Sequence, residues 1–177
     1  MKSRIGFFGG CFNPVTNAHI NLIKAVMKQE NLKKVYFVPM GDLYQKKDLI
    51  CLEHRIKMLQ LAFENEVNMD ILDISNKDKK MCAIDTFQVI DEKFPEAERF
   101  FIMGSDNYQK MTEWRDAENL LKNYHYIVLD RENGNTKHIS STVVRQRIKQ
   151  NQLIDDLVPE QVLAYIKQKN LYIEGNE

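Results

Sequence analysis

The sequence predicts one α/β domain organised on a doubly wound parallel sheet with helices on both faces. Three observations carry that prediction. The apolar run Ile5-Gly6-Phe7-Phe8 passes through Gly9-Gly10 into Ile20, Ile23, Ala25, Val26 and Met27, which recur at helical spacing. A second apolar run, Val35-Tyr36-Phe37-Val38, follows. Strand, helix and strand within about forty residues form a βαβ unit, which implies a parallel pair and a right-handed crossover. Next, the run from Arg99 to Met103 ends in Gly104-Ser105-Asp106-Asn107, a small-residue turn of the kind that closes a parallel strand. Finally, 177 residues without internal repeat or low-complexity linker suit a single domain, 1–177, whose last part from about 140 onward is helical.

In chain order, Gly9-Gly10 is expected to make the first turn, with His19 in the first turn of the helix that follows. Lys34 to Pro39 is a second strand, with Val35 to Val38 a continuous apolar run as in strands buried on both faces, and ended by proline. Met40 to Leu49 is a polar loop. Leu52 to Asn65 is a helix with Leu52, Ile56, Leu59, Ala62 and Phe63 on one side, and His54 and Arg55 near its start are either solvated or, for Arg55 above all, functional. Met69 to Ile74 alternates as a short strand, and Asn76 to Lys80 is a charged turn. Ile84 to Phe94 forms a helix that stops before Pro95, with Asp85 and Thr86 as candidate caps. After the Arg99 strand comes a last internal strand, Tyr124 to Leu129, and a turn from Arg131 to Lys137. Ser140 or Ser141 can cap a helix carrying Val143, Val144 and Ile148. Pro159 leads into a closing helix, Glu160 to Lys169, with Val162, Leu163 and Ile166 facing inward. Strands and helices in this alternation give a Rossmann-like architecture.

Hydrophobic residues at 44% and charged residues at 28% exclude a disordered chain. With 25 basic and 25 acidic residues and no dominant basic block, the balance argues against a nucleic-acid binder and leaves room only for a local basic pocket. Cys11, Cys51 and Cys82 are odd in number and form no CxxC pair, so they read as free thiols of a reducing compartment. Gly9 and Gly10 interrupt the amino-terminal apolar run too early for a signal peptide, and no stretch approaches the roughly 20 apolar residues that a bilayer needs. The chain is therefore expected in the cytoplasm, with no membrane partner.

The stretch from Gly9 to His19 carries the strongest chemical signal. Two residues without Cβ let a ligand approach the backbone, and a helix start offers unpaired N–H groups and the positive end of its dipole to a phosphate. His19 adds an imidazole to the same site. The competing reading is an ordinary first turn with a structural histidine, since the glycines match neither the dinucleotide nor the P-loop fingerprint. Lys46, with Lys47 beside it, is either solvated or reaches phosphates from the same crevice. Asp106 can accept two ribose hydroxyls or cap the next helix. Trp114, the single tryptophan, lies between Glu113 and Arg115, too charged a setting for a core position. Its indole offers a flat face to an electron-poor ring, and packing at a subunit contact of a homo-oligomer is the competing role. Towards the other end, Ser140, Ser141 and the N–H groups of a helix start can hold an anion, and Arg145 one turn further can bridge phosphate oxygens with two parallel hydrogen bonds. No cluster of carboxylates suggests a protein-bound metal.

Gly9-Gly10-Cys11-Phe12-Asn13-Pro14-Val15-Thr16-Asn17-Ala18-His19 resembles the first signature of the nucleotidyltransferase superfamily, with Thr16 and His19 at its two polar positions and Ala18 where glycine is usual. Pro14 to His19 is similar to the PVTNGH form of pantetheine-phosphate adenylyltransferases. Ile139-Ser140-Ser141-Thr142-Val143-Val144-Arg145 matches the second signature, ISSTxxR, without a break. Gly104-Ser105-Asp106-Asn107 with Trp114, and Cys82-Ala83-Ile84-Asp85-Thr86, resemble the GxDN…W and YTxDT segments of nicotinate-nucleotide adenylyltransferases. Ala83 stands where the first threonine is expected, and the connection from Asp130 to His138 is shorter than in those enzymes. Lys46 matches their lysine after the proline of the second strand.

The resemblance covers nearly the whole chain. It implies transfer of AMP from ATP to nicotinate or nicotinamide mononucleotide with release of pyrophosphate, a step of NAD biosynthesis. It further implies that Thr16 and His19 bind the α-phosphate, and that Lys46, Arg145 and the Ile139, Ser140 and Ser141 segment hold the β- and γ-phosphates. Gly9, Gly10 and Phe12 border the ATP, Gly104 and Asp106 take its ribose, Thr86 and Trp114 take the pyridine, and Mg2+ arrives with the triphosphate. Three other readings stay open: pantetheine-phosphate adenylylation, cytidylyl transfer, and a nucleotide sensor without turnover, for which Thr16, Ala18 and Ala83 would mark a decayed site.

Overall fold

The computed structural model describes residues 2–44, 46, 48–76, 78–129 and 140–173. Strands β1 (Arg4–Gly10), β2 (Lys34–Pro39), β3 (Met69–Ile71), β4 (Glu98–Gly104) and β5 (His125–Leu129) pair in the order β3-β2-β1-β4-β5. Every pairing is parallel, with Phe8 beside Phe37 on one flank and Ile102 on the other. Side chains alternate across a strand, so the central strands supply two cores. Phe8, Val35, Phe37 and Ile102 enter one core, and Phe7, Val38, Phe101 and Met103 enter the other. This is why the strands read as unbroken apolar runs.

Helices cover both faces. The first core receives α1 (Asn17–Gln29) through Ile20, Ile23 and Val26, and α2 (Leu52–Ala62) through Met58 and Leu59. It also receives α6 (Ser141–Lys149) through Val144 and α7 (Glu160–Lys169) through Val162 and Ile166. The second core receives α3 (Ala83–Lys93) through Ile84, Phe87 and Ile90, and α5 (Ala117–Asn123) through Leu120. Phe87 lies flat on Phe101, with ring centroids 3.5 Å apart. Between β4 and α5 stand the short α4 (Ser105–Gln109) and a 3-10 turn, Met111–Glu113.

Two expected elements end early. Helix α2 stops at Ala62 rather than Asn65, because the Phe63 N–H closes on the carbonyls of both Leu59 and Gln60 and turns the chain away. Strand β3 stops at Ile71 rather than Ile74. Its ladder runs through Val35 N–H to Asn68 O and Leu72 N–H to Phe37 O, and the next donor on β2 would be Pro39, which has no N–H. Proline thus frees the end of the third strand. The connections leave β1 in opposite directions, towards β2 and towards β4, so a crevice opens at their carboxyl ends.

Candidate active site

Strand β1 runs through both glycines, and Gly10 still pairs with Pro39, so the glycines finish the strand and do not make the turn as expected. The turn falls on the residues after them, with Phe12 at φ 47°. Each glycine has its own reason. A Cβ on Gly10 would meet the Phe12 ring at 2.9 Å, whereas a Cβ on Gly9 would meet nothing within 4 Å and would point into open space. Phe12 is 2% exposed and packs on Phe8, Phe37 and the His19 ring. Its ring is the wall on which the imidazole leans.

Thr16 caps α1 and His19 is the third helical residue, so the two close a reciprocal capping box. The Thr16 N–H donates to His19 Nδ1 at 3.1 Å, the Thr16 hydroxyl lies 2.8 Å from the same nitrogen, and the His19 N–H points back at that hydroxyl at 3.4 Å. An amide can only donate, so Nδ1 accepts and the neutral ring carries its proton on Nε2. Thr16 is 0% exposed. Its amide and hydroxyl both meet Nδ1 and so fix the orientation of the His19 ring.

The second signature folds onto this turn. Ser140 caps α6 by accepting from the Val143 N–H at 3.2 Å, Ser141 donates to Pro14 O at 2.8 Å, and Arg145 donates to Asn13 O at 2.7 Å. Asn13 is the hub beneath, giving its amide N–H to Asp48 O and taking the Tyr172 hydroxyl at 3.0 Å. Residues from the start, middle and end of the chain thus meet on one turn. Lys46 reaches it from the 40–51 loop, with Nζ 3.9 Å from Cys11 Sγ. Ile139 and the 130–138 connection lie outside the described residues.

On the α3 face, beside the turn, lies a cavity of about 580 Å3 bordered by Gly9, Pro39, Thr86, Met103, Asn107 and Trp114. Thr86 and Trp114 do share it, and Trp114 is half-buried there. Gly104 caps α4 and Asp106 stands exposed in that helix's first turn. Lys79, Lys80, Lys110 and Arg115 also line the cavity, and among the described residues no Asp or Glu does. Four cations at one wall, two of them sharing the single carboxylate of Asp85 behind it, leave an excess of positive charge that favours an anion. Sequence patterning missed this because the four lie in three separate segments.

Asp85 is the counter-charge behind two of them. The cap of α3 is Cys82, not Asp85 or Thr86 as expected: Asp85 reaches back to accept the Cys82 N–H at 2.9 Å, while also holding Arg115 and, at 3.2 Å, Lys79. The Cys82 amide first, and the Arg115 guanidinium next, hold its carboxyl well below the usual carboxylate range. A group depressed in the fold contributes stability that is complete above its unfolded pKa of about 4 and is lost as pH falls through the folded value. Asp85→Asn is thus expected to melt below wild type by a steady margin from about pH 5 to 8, a margin that closes below about pH 4. Thermal melts across pH measure it.

A parallel sheet with a histidine at a helix entrance, a basic chamber at its carboxyl edge and two chain ends meeting there defines a nucleotide-handling α/β enzyme. The chain belongs to the cytidylyltransferase-like family, whose model matches residues 7–147, and this makes it a nucleotidyltransferase. It is 31% identical to an Enterococcus faecalis protein named "Probable nicotinate-nucleotide adenylyltransferase", across 97% of this chain and 85% of that one. The Lactococcus lactis protein of the same name is 30% identical, across 97% and 96%. Among solved structures, the Plasmodium falciparum nicotinic acid mononucleotide adenylyltransferase complexed with NaAD has the same fold, with a TM-score of 0.79 at 20% identity over 96% of this chain and 97% of that one.

Proposed function

We propose that the chain transfers the adenylyl group of ATP to nicotinate mononucleotide. An oxygen of the acceptor's phosphate attacks the α-phosphorus, the bond from that phosphorus to the β-phosphate oxygen breaks, and pyrophosphate leaves with the electron pair. Positioning and charge neutralisation carry such a reaction. In this reading the Nε2–H of His19 donates to an α-phosphate oxygen, and Lys46, Arg145, Ser140 and the start of α6 hold the β- and γ-phosphates. Gly104 and Asp106 take the ribose of ATP, while Trp114 and Thr86 receive the pyridine. Magnesium belongs here as the counter-ion of the triphosphate; among the described residues no three or more His, Cys, Asp or Glu gather to hold one. Free thiols at Cys11, Cys51 and Cys82 suit an enzyme of the reducing cytoplasm, and among the described residues no helix is long and apolar enough to cross a membrane.

The observation that carries this reading is the basic chamber, which opens at Gly9 beside the turn that bears His19. Asp85 offsets one of the two charges on Lys79 and Arg115, while neither Lys80 nor Lys110 is ion-paired to it. The names of the relatives point the same way. The test is pyrophosphate release from ATP with nicotinate mononucleotide, nicotinamide mononucleotide or phosphopantetheine as acceptor. The acid is expected to turn over best. Lys80→Ala and Lys110→Ala should each lower its kcat/KM by about fivefold, about 1 kcal/mol, with less effect on the uncharged amide. Equal use of acid and amide, or preference for phosphopantetheine, would overturn the assignment.

A further inference from the structure

Arg55 is fully buried, the largest side chain so enclosed, and the chemistry above does not use it. It sits in the first turn of α2, and its guanidinium gathers three pieces of chain. Nε donates to Ile50 O at 2.9 Å, one terminal nitrogen donates to both Cys11 O at 3.0 Å and Met40 O at 2.6 Å, and the other donates to Asp42 Oδ1 at 3.1 Å. Cys11 follows β1, Met40 follows β2, and Ile50 ends the loop before α2. Asp42 Oδ1 also takes the Leu52 N–H at 2.6 Å. The loop that carries Lys46 is therefore fastened at both ends, and the same guanidinium fastens the turn of Cys11. Lysine cannot do this, because its donors radiate from one point. A buried charge is a poor device for stability alone, since packed apolar groups of equal volume often serve as well; setting a register is its best-attested use.

We propose that Arg55 and Asp42 are positioning residues that hold the 40–51 loop against the Cys11 turn so that Lys46 meets the triphosphate. This rests on the reading of Lys46 as a phosphate ligand. A 1 Å error in such placement costs about a hundredfold. The Asp42 side chain is 58% exposed, so it can be altered without opening the core.

A double-mutant cycle of Asp42→Ala with Lys46→Ala decides the matter. In the wild-type background Asp42→Ala should lower kcat/KM for ATP by about ten- to a hundredfold, with KM for the acceptor unchanged. In the Lys46→Ala background the same change should cost less than about twofold, since nothing remains to be positioned. The melting temperature should stay within about 8 °C of wild type. Asp42→Asn, which keeps an acceptor oxygen, should recover most of the loss, and Arg55→Lys should reproduce it. An equal loss in both backgrounds, or none in the first, overturns the inference while leaving Lys46 in place. Wild-type behaviour of Lys46→Ala removes the lysine's role and the inference together.

Discussion

His19→Ala is expected to fold and to lose turnover by about 10²–10³-fold, the cost of removing one preorganised donor from a developing oxyanion. The fold should survive because His19 is an incoming partner of the α1 cap and not the cap itself: Thr16 remains, with the hydroxyl that accepts the backbone of residue 19. The losses include the hydrogen bond to the Thr16 amide, the contact with the Thr16 hydroxyl and the ring contacts with Phe8 and Phe12. Together these are about 1 kcal/mol, about 2–4 °C in melting temperature for a chain of this size. His19→Gln refines the test. Its amide nitrogen extends as far as Nε2, so it should restore part of the rate if donation from that position is what matters. Pyrophosphate release at saturating ATP beside a thermal melt measures both quantities. Near-normal turnover in His19→Ala would remove the residue from the chemistry.

Arg145→Lys should lower kcat/KM for ATP by about 10- to 150-fold, the equivalent of about 1.5–3 kcal/mol for a lost charge-assisted hydrogen bond. The arginine has two tasks: one terminal nitrogen holds Asn13 O, and the other end of the fork, now 3.5 Å from Thr142 Oγ1, is the part that can turn to a phosphate. An ammonium group meets one of these demands at a time. The loss should appear against ATP and leave KM for the acceptor unchanged, because the acceptor chamber lies on the other face of the sheet's edge. A lysine variant with wild-type kinetics towards ATP would assign Arg145 to holding Asn13 alone.

The architecture was legible because the central parallel strands are apolar on both sides, and because Pro39 and Pro159 mark where elements stop and start. Strand β2 and helix α7 fall on their predicted bounds for that reason. The site was legible only where its residues form a contiguous word, as around His19 and Arg145. Thr16 and Phe12 belong to that word too, but their side chains are buried against His19, and a signature says which residues gather and not which of them face outward. The burial of Arg55 was not legible, for a different reason. Arginine is seldom enclosed, yet it stands three residues after Leu52 and four before Leu59, on the stripe predicted to face inward. Asn13, Asp42 and Tyr172 gave no signal at all, because their partners are distant in sequence and only the fold supplies them.

Tyr172 and Asn13 share a hydrogen bond although 159 positions separate them. A chain still emerging from the ribosome already has β1, the turn and His19, but it cannot bring Arg145 or Tyr172 to that turn until its final helices are made. The turn is therefore completed only late in synthesis, when both of these partners of Asn13 have been made.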